Sequence, residues 1–173
     1  MIIGDPYKFA ILSGVINEWN IDDKFCNGVL LFCVNGDIYP KEVVTATLES
    51  EIEYLRQKLR NLTTDKRLYT LPPQQAFAEI YDITFPEDIH NDNNDCFNIT
   101  PAALSDCNCF VFAVRDGVNI RILASKLTYE RENSRHKLEN IMISETFLTV
   151  GGLREIIAGL EGFIFGKSKK FCY

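Results

Sequence analysis

Histidine is nearly missing from these 173 residues, which contain only His90 and His136. Acid–base and nucleophilic active sites draw on histidine more than on any other side chain. Both histidines stand in polar segments expected to be mobile. A catalytic pair could be drawn only from Cys96 or Cys109 with His90, and core cysteines beside a surface histidine account for the same residues. The glycine signatures of hydrolases, nucleotide-binding loops and dinucleotide folds are missing too. The chain is therefore read as a protein that does not catalyse a reaction.

Metal signatures are equally thin. Cys107-x-Cys109 has no second cysteine pair at structural-zinc spacing. The run from Asp88 to Asp95 looks superficially like a calcium loop, but Asn93 stands where the sixth-position glycine belongs and Ile99 where the closing glutamate belongs. No metal and no cofactor are expected. No apolar run approaches the roughly 20 residues needed to span a bilayer. Met1 to Pro6 shows no basic region leading into an apolar stretch, so the expectation is a cytoplasmic protein whose six cysteines stay reduced.

The last scarcity is of one charge sign in one place. Between Arg67 and Arg115 there is no Lys or Arg, while Glu79, Asp82, Glu87, Asp88, Asp92, Asp95 and Asp106 all fall there. The whole chain carries net charge −6 with pI near 5.0, which disfavours direct contact with nucleic acid or anionic membranes and favours a basic protein partner. The acidic stretch is either a solvated face or an electrostatic landing surface. As a landing surface it would bind through Asp82, Glu87, Asp88, Asp92 and Asp95, with Phe85 as an aromatic anchor; Trp19 and Tyr81 are further aromatic candidates, though packing in the core suits each of the three.

What is present is globular. Hydrophobic residues make up 46% and charged residues 24%, ordinary values for a folded domain, and this length suits one core, so residues 1–173 are expected to form a single domain with a frayed basic tail over 166–173. Tyr7 to Trp19 reads as one strand or two, with a break or bulge at Ser13-Gly14. Gly28 to Val34, Asn35-Gly36 and Ile38-Tyr39 spell a type I′ hairpin, and Val43 to Leu48 alternates like a further strand. Ser50-Glu51-Ile52-Glu53 is a capping box for a helix lined by Ile52, Leu55, Leu59 and Leu62.

Pro73 opens a second helix through Tyr81, with Ala76, Phe77 and Ile80 inward, and Glu87 to Asp95 is a polar loop. Cys109–Val114, Asp116-Gly117 and Val118–Ala124 form another hairpin. Thr128 to Lys137 is charged and read as a loop, followed by a strand within Leu138 to Phe147. Thr149 is an N-cap for a last helix with Leu153, Ile156, Ile157 and Leu160 on one face, weakened by its glycines. Hairpins grouped between helices predict an α+β fold, an antiparallel sheet with about three helices packed on it.

The opening Ile3-Gly4-Asp5-Pro6-Tyr7-Lys8-Phe9-Ala10, the Val15 to Asn20 segment and the Asn27 to Pro40 block resemble the immunity protein 42 family. So do Ile83 to Ile89, Ser105 to Val114, Arg121 to Leu127 and Glu132 to His136. The resemblance implies an antitoxin that binds and neutralises a polymorphic or contact-dependent growth inhibition toxin in the bacterial cytoplasm, and it transfers no catalytic residue. Toxins of this type are often nucleases, such as RNases or tRNases, whose basic clefts an acidic inhibitor can occupy by imitating phosphate. An adaptor or chaperone for a secreted effector is the alternative that the same composition allows.

Overall fold

In the computed structural model, residues 1–20, 25–87, 94–132 and 134–168 are described, with side chains as far as 163. The fold is α+β, as expected. The first sheet is antiparallel in the order β1 (Ile2–Gly4), β2 (Phe9–Val15), β3 (Asn27–Val34), β4 (Asp37–Tyr39), with the two-residue β5 (Ala46–Thr47) pairing the start of β3. The predicted hairpin turn is present. Asn35 and Gly36 have φ of 52° and 86°, the left-handed pair that a type I′ turn requires. Ser13 and Gly14 do not interrupt β2, because they pair Leu30 and Val29 in unbroken register. The chain leaves the sheet only afterwards, at the 3-10 helix Asn17–Trp19.

A second, central sheet runs β10 (Ser144–Thr149), β7 (Asn119–Lys126), β6 (Cys109–Arg115). Its strands β6 and β7 are largely apolar on both faces for a physical reason. Cys109, Val111, Ala113, Ile120, Ile122 and Ala124 enter a core shared with the first sheet, α1 (Leu48–Arg60) and α5 (Val150–Ser168). The alternate residues Phe110, Phe112, Val114 and Leu123 enter a second core with α2 (Lys66–Thr70) and α3 (Pro73–Thr84). A sheet covered on both sides reads as continuous apolar runs, which is how these strands stand in the sequence. The outer edge of β6 is closed by irregular chain: Val111 donates its N–H to the Thr100 hydroxyl at 2.8 Å, and that hydroxyl returns a 3.0 Å bond to the Val111 carbonyl.

Several boundaries differ from the sequence expectation. α1 begins at Leu48, two residues before the capping box, because Leu48 is fully buried and its N–H is held by the Cys26 carbonyl at 2.7 Å. Ser50 then bonds back to the Thr47 carbonyl, and Glu53 turns to Arg56 and Gln57 instead of capping. Two short helices, α2 and α4 (Ala102–Ser105), raise the count above three; Asp65 caps α2 through the Leu68 N–H, and the Glu51 carboxylate accepts from the first amides of α4. Thr128 to Lys137 is a hairpin, β8 (Thr128–Glu130) against β9 (Arg135–Lys137), where a loop was expected. α5 runs to Ser168, so the first residues of the predicted frayed tail are helical, and 169–173 lie outside the described residues. Among the described residues, no helix is long and apolar enough to cross a membrane.

Candidate interaction face at the end of the third helix

α3 lies on the central sheet through Ala76, Phe77 and Ile80, and the Phe77 ring meets Phe112 with centroids 5.0 Å apart. That packing fixes which way its last turn points. Tyr81 is buried, Asp82 is exposed, and Phe85, just past the helix end, is 39% exposed. Phe85 stacks on Tyr81 at 4.9 Å and on Phe110 of β6 at 5.5 Å. The β8–β9 hairpin closes the group from the other side. His136 sits 4.9 Å from Phe110 and 5.1 Å from Tyr129, which is 47% exposed.

A polar chain threads these rings. The Tyr81 hydroxyl lies 2.7 Å from His136 Nδ1, and His136 Nε2 lies 2.7 Å from the Asn108 side-chain oxygen. With Nε2–H donating to Asn108, Nδ1 is the acceptor for the tyrosine hydroxyl, which assigns the neutral Nε2–H tautomer. Burial favours that form, pushing the His136 pKa down and that of Tyr81 up to about 12. His136 is therefore a half-buried structural element of the face, where a mobile surface histidine was expected.

Four carboxylates of the acidic stretch prove to have cations from elsewhere in the chain. Arg135 of β9 pairs with both Asp82 and Glu87. Lys58 of α1 holds Asp95 at 2.5 Å, and Arg67 of α2 holds Glu79 at 2.6 Å. Asp82 and Glu87, either side of Phe85 in the chain, are thus gathered around one arginine, whereas Asp95 is tied to α1. Asp88 and Asp92 lie outside the described residues. The other aromatic candidates divide: Tyr81 is 3% exposed and belongs to the core, while Trp19 is 36% exposed on the 3-10 helix. A groove of about 300 Å³ beside the hairpin is lined by Glu130, Arg135, His136 and Lys137.

Arg135, Tyr129 and His136 were not among the sequence candidates. The one local signal for them was Tyr129 and His136 placed symmetrically about a polar turn; they are direct partners in the register. Of the two cysteines considered from sequence, Cys96 is half-buried and Cys109 buried. Cys109 is buried and desolvation pushes its thiol up to about 11, away from thiolate, and His90 lies outside the described residues. Among the described residues no three His, Cys, Asp or Glu side chains are placed to hold a metal.

The arrangement offers exposed aromatic surface, two carboxylates and a shared guanidinium, which is equipment for gripping a protein. No curated protein matches the sequence. The crystal structure of CdiI from Burkholderia dolosa AUO158 is similar in fold, with TM-score 0.74 at 22% identity, covering 94% of this chain and 99% of that one. Residues 1–163 match the family described as Immunity protein 42, and the chain belongs to that family.

Proposed function

We propose that this chain is the cytoplasmic immunity partner of a contact-dependent growth inhibition toxin, which it neutralises by non-covalent binding and without catalysis. Family membership supports the role, and the CdiI of similar fold supports the delivery system. The contact surface is the end of α3 with the acidic stretch that follows it in sequence: Asp82, Phe85 and Glu87, extended by Asp88, Asp92 and Asp95. The observation that carries this choice is the convergence of exposed Phe85 and Tyr129 with two carboxylates on Arg135. Aromatic anchors supply affinity at such interfaces, and a rim of one charge sign steers an oppositely charged partner.

The toxin is a nuclease, an RNase or tRNase, whose basic substrate cleft meets this acidic rim. The carboxylates at the end of α3 and after it take the place of substrate phosphates in that cleft, so substrate is excluded while the complex lasts. The test is co-expression with the toxin domain encoded beside this gene, followed by affinity measurement at low and high salt. Growth rescue with a stable complex is expected. Phe85→Ala should weaken binding by about 30-fold or more, the ratio of a 2 kcal/mol anchor. Changing Asp82, Glu87, Asp88, Asp92 and Asp95 to their amides should slow association and flatten its salt dependence. Rescue with unchanged affinity in both variants would move the interface to another face; no rescue and no complex would overturn the immunity role.

A further inference from the structure

The central sheet has one closed edge and one open edge. On the closed side, the outward groups of β6 at Val111, Ala113 and Arg115 bond the chain at Thr100, Phe97 and Thr63. Bonded and non-bonded pairs alternate along an antiparallel ladder, so the register fixes the rest. Phe112 and Val114 bond Leu123 and Arg121, which leaves Ile120, Ile122 and Ala124 to bond Leu148, Thr146 and Ser144. The backbone groups of Glu145, Phe147 and Thr149 therefore point outward from β10. Among the described residues none bonds the Glu145 or Phe147 backbone groups or the Thr149 N–H. Exposed edges are usually blunted by lysine, proline or a bulge, and the six residues of β10 have none of these.

A groove lies along this edge between the two sheets. At the start of β10 the sheets are joined, because the Ser144 hydroxyl donates to Asp37 of β4 at 2.6 Å. Towards Thr149 a space of about 480 Å³ is lined by the β1–β2 turn, the end of β10 and the first turns of α5. Phe9, Leu148 and Ile156, all core residues, give it an apolar floor. Exposed Asp5, Glu155 and Lys8 stand at its rim, and neither carboxylate has an ion pair among the described residues. On the other face of β10, Phe147 is 50% exposed, with the Tyr69 ring 5.8 Å away.

We infer that the outer edge of β10 takes up an extended strand of the toxin, with a lysine or arginine of that strand entering the groove. This rests on the immunity role proposed above and adds a second contact to it. An added strand satisfies the outward N–H and C=O groups through main-chain bonds and leaves specificity to its alternate side chains. Those opposite Glu145, Phe147 and Thr149 face the Phe147 and Tyr69 rings; those opposite Thr146 and Leu148 face the groove. An apolar floor beneath rim carboxylates suits a long aliphatic stem ending in a cation, which is the build of lysine and arginine. Charge selects the same occupant. A chain at net −6 draws a basic partner, and the Glu145 carboxylate, already held by Arg121, does not compete for the incoming cation. Only β7 separates β10 from β6, so Phe147 and the Phe85 group lie about 10 Å apart across the strands and about 13 Å along them. One partner with an interface of about 800 Å² spans both.

Amide hydrogen exchange of the full chain, free and with the toxin domain encoded beside its gene, tests this without any substitution. The Glu145, Phe147 and Thr149 amides should exchange fast in the free chain and lose that fast exchange in the complex. Phe147→Pro then removes an outward donor without touching the β7 ladder, a place where an edge strand tolerates proline. It should bind the toxin about tenfold more weakly than Phe147→Ala, which loses the same ring and keeps the N–H. Glu155→Lys should weaken binding by about tenfold as well. Circular dichroism and melting check that the variants fold. A complex that rescues growth while these amides stay fast overturns the inference and leaves the immunity role standing, as does equal affinity of the proline and alanine variants. Unchanged affinity of Glu155→Lys overturns the basic occupant. Protection that rises with concentration in the free chain gives the edge to a second copy and also overturns it. No complex and no rescue overturns the immunity role itself, and this inference with it.

Discussion

Arg121 is the least ordinary residue of the central sheet, since its side chain is 2% exposed. Its Nε donates to Glu145 on β10 at 2.6 Å, and one terminal nitrogen donates to the carbonyls of Leu68, Tyr69 and Leu71 at 3.0, 2.9 and 2.7 Å. Those carbonyls end α2, where helical acceptors lack intrahelical partners. Arg121→Met keeps most of the apolar stem and removes the guanidinium. Breaking a buried ion pair costs about 3–5 kcal/mol; Glu145 is 26% exposed and recovers water, which places the expected loss at the lower end, about 3 kcal/mol. For a chain of this size that is a fall in Tm of about 6–12 °C. Urea unfolding with an unchanged m-value measures it. Glu145→Gln should cost only about 1 kcal/mol, because the guanidinium still caps α2. A loss under about 1 kcal/mol for Arg121→Met, or equal losses for the two variants, would refute the capping role.

Three further outcomes follow from single contacts. His136 is neutral and half-buried in the fold, so its folded pKa lies below the unfolded value; its contribution is complete above that value and declines as pH falls through it towards the folded pKa. Melting of His136→Gln against pH should lack that acid-side decline. Gly159→Ala gains helix propensity of about 1 kcal/mol, yet its Cβ would lie 2.6 Å from Ile3 Cγ2, so a net loss of about 1–2 kcal/mol in urea is expected. Cys109 should label with a thiol reagent only when the protein unfolds; rapid labelling of the native chain near neutral pH would contradict its burial.

The parts legible in the sequence are those whose cause is local. Asn35-Gly36 specifies its turn through backbone preference alone, and the runs in β6 and β7 announce strands because both faces are covered. The capping box failed because a distant effect outweighed it: burying Leu48 draws the start of α1 forward by two residues. The β8–β9 hairpin was not legible, since its support is Phe110 and Tyr81 against His136, contacts between segments far apart in the chain. Charge pairing is tertiary for the same reason. A stretch without Lys or Arg looked like an open negative field, yet four of its carboxylates, Glu79, Asp82, Glu87 and Asp95, have cations brought from α1, α2 and β9.

That pairing changes what the proposed interface can do. A toxin cation approaching Asp82 or Glu87 meets carboxylates already neutralised in part by Arg135, so contact exchanges one exposed ion pair for another. Exposed pairs are worth about 0–1 kcal/mol, and the exchange contributes little net affinity. Binding strength must come instead from apolar area, and Phe85 and Tyr129 are the exposed aromatics that can be desolvated there. Charge retains the roles of steering and partner choice. Arg135→Ala separates the two. It frees two carboxylates and takes the chain from −6 to −7, so association with a basic toxin should speed up at low salt while dissociation changes by less than about tenfold. Phe85→Ala should do the reverse, raising the dissociation rate with association nearly unchanged. Stopped-flow kinetics at two salt concentrations reads both. If Arg135→Ala instead raises the dissociation rate as much as Phe85→Ala does, the guanidinium itself is the anchor, and the acidic account of this face is wrong.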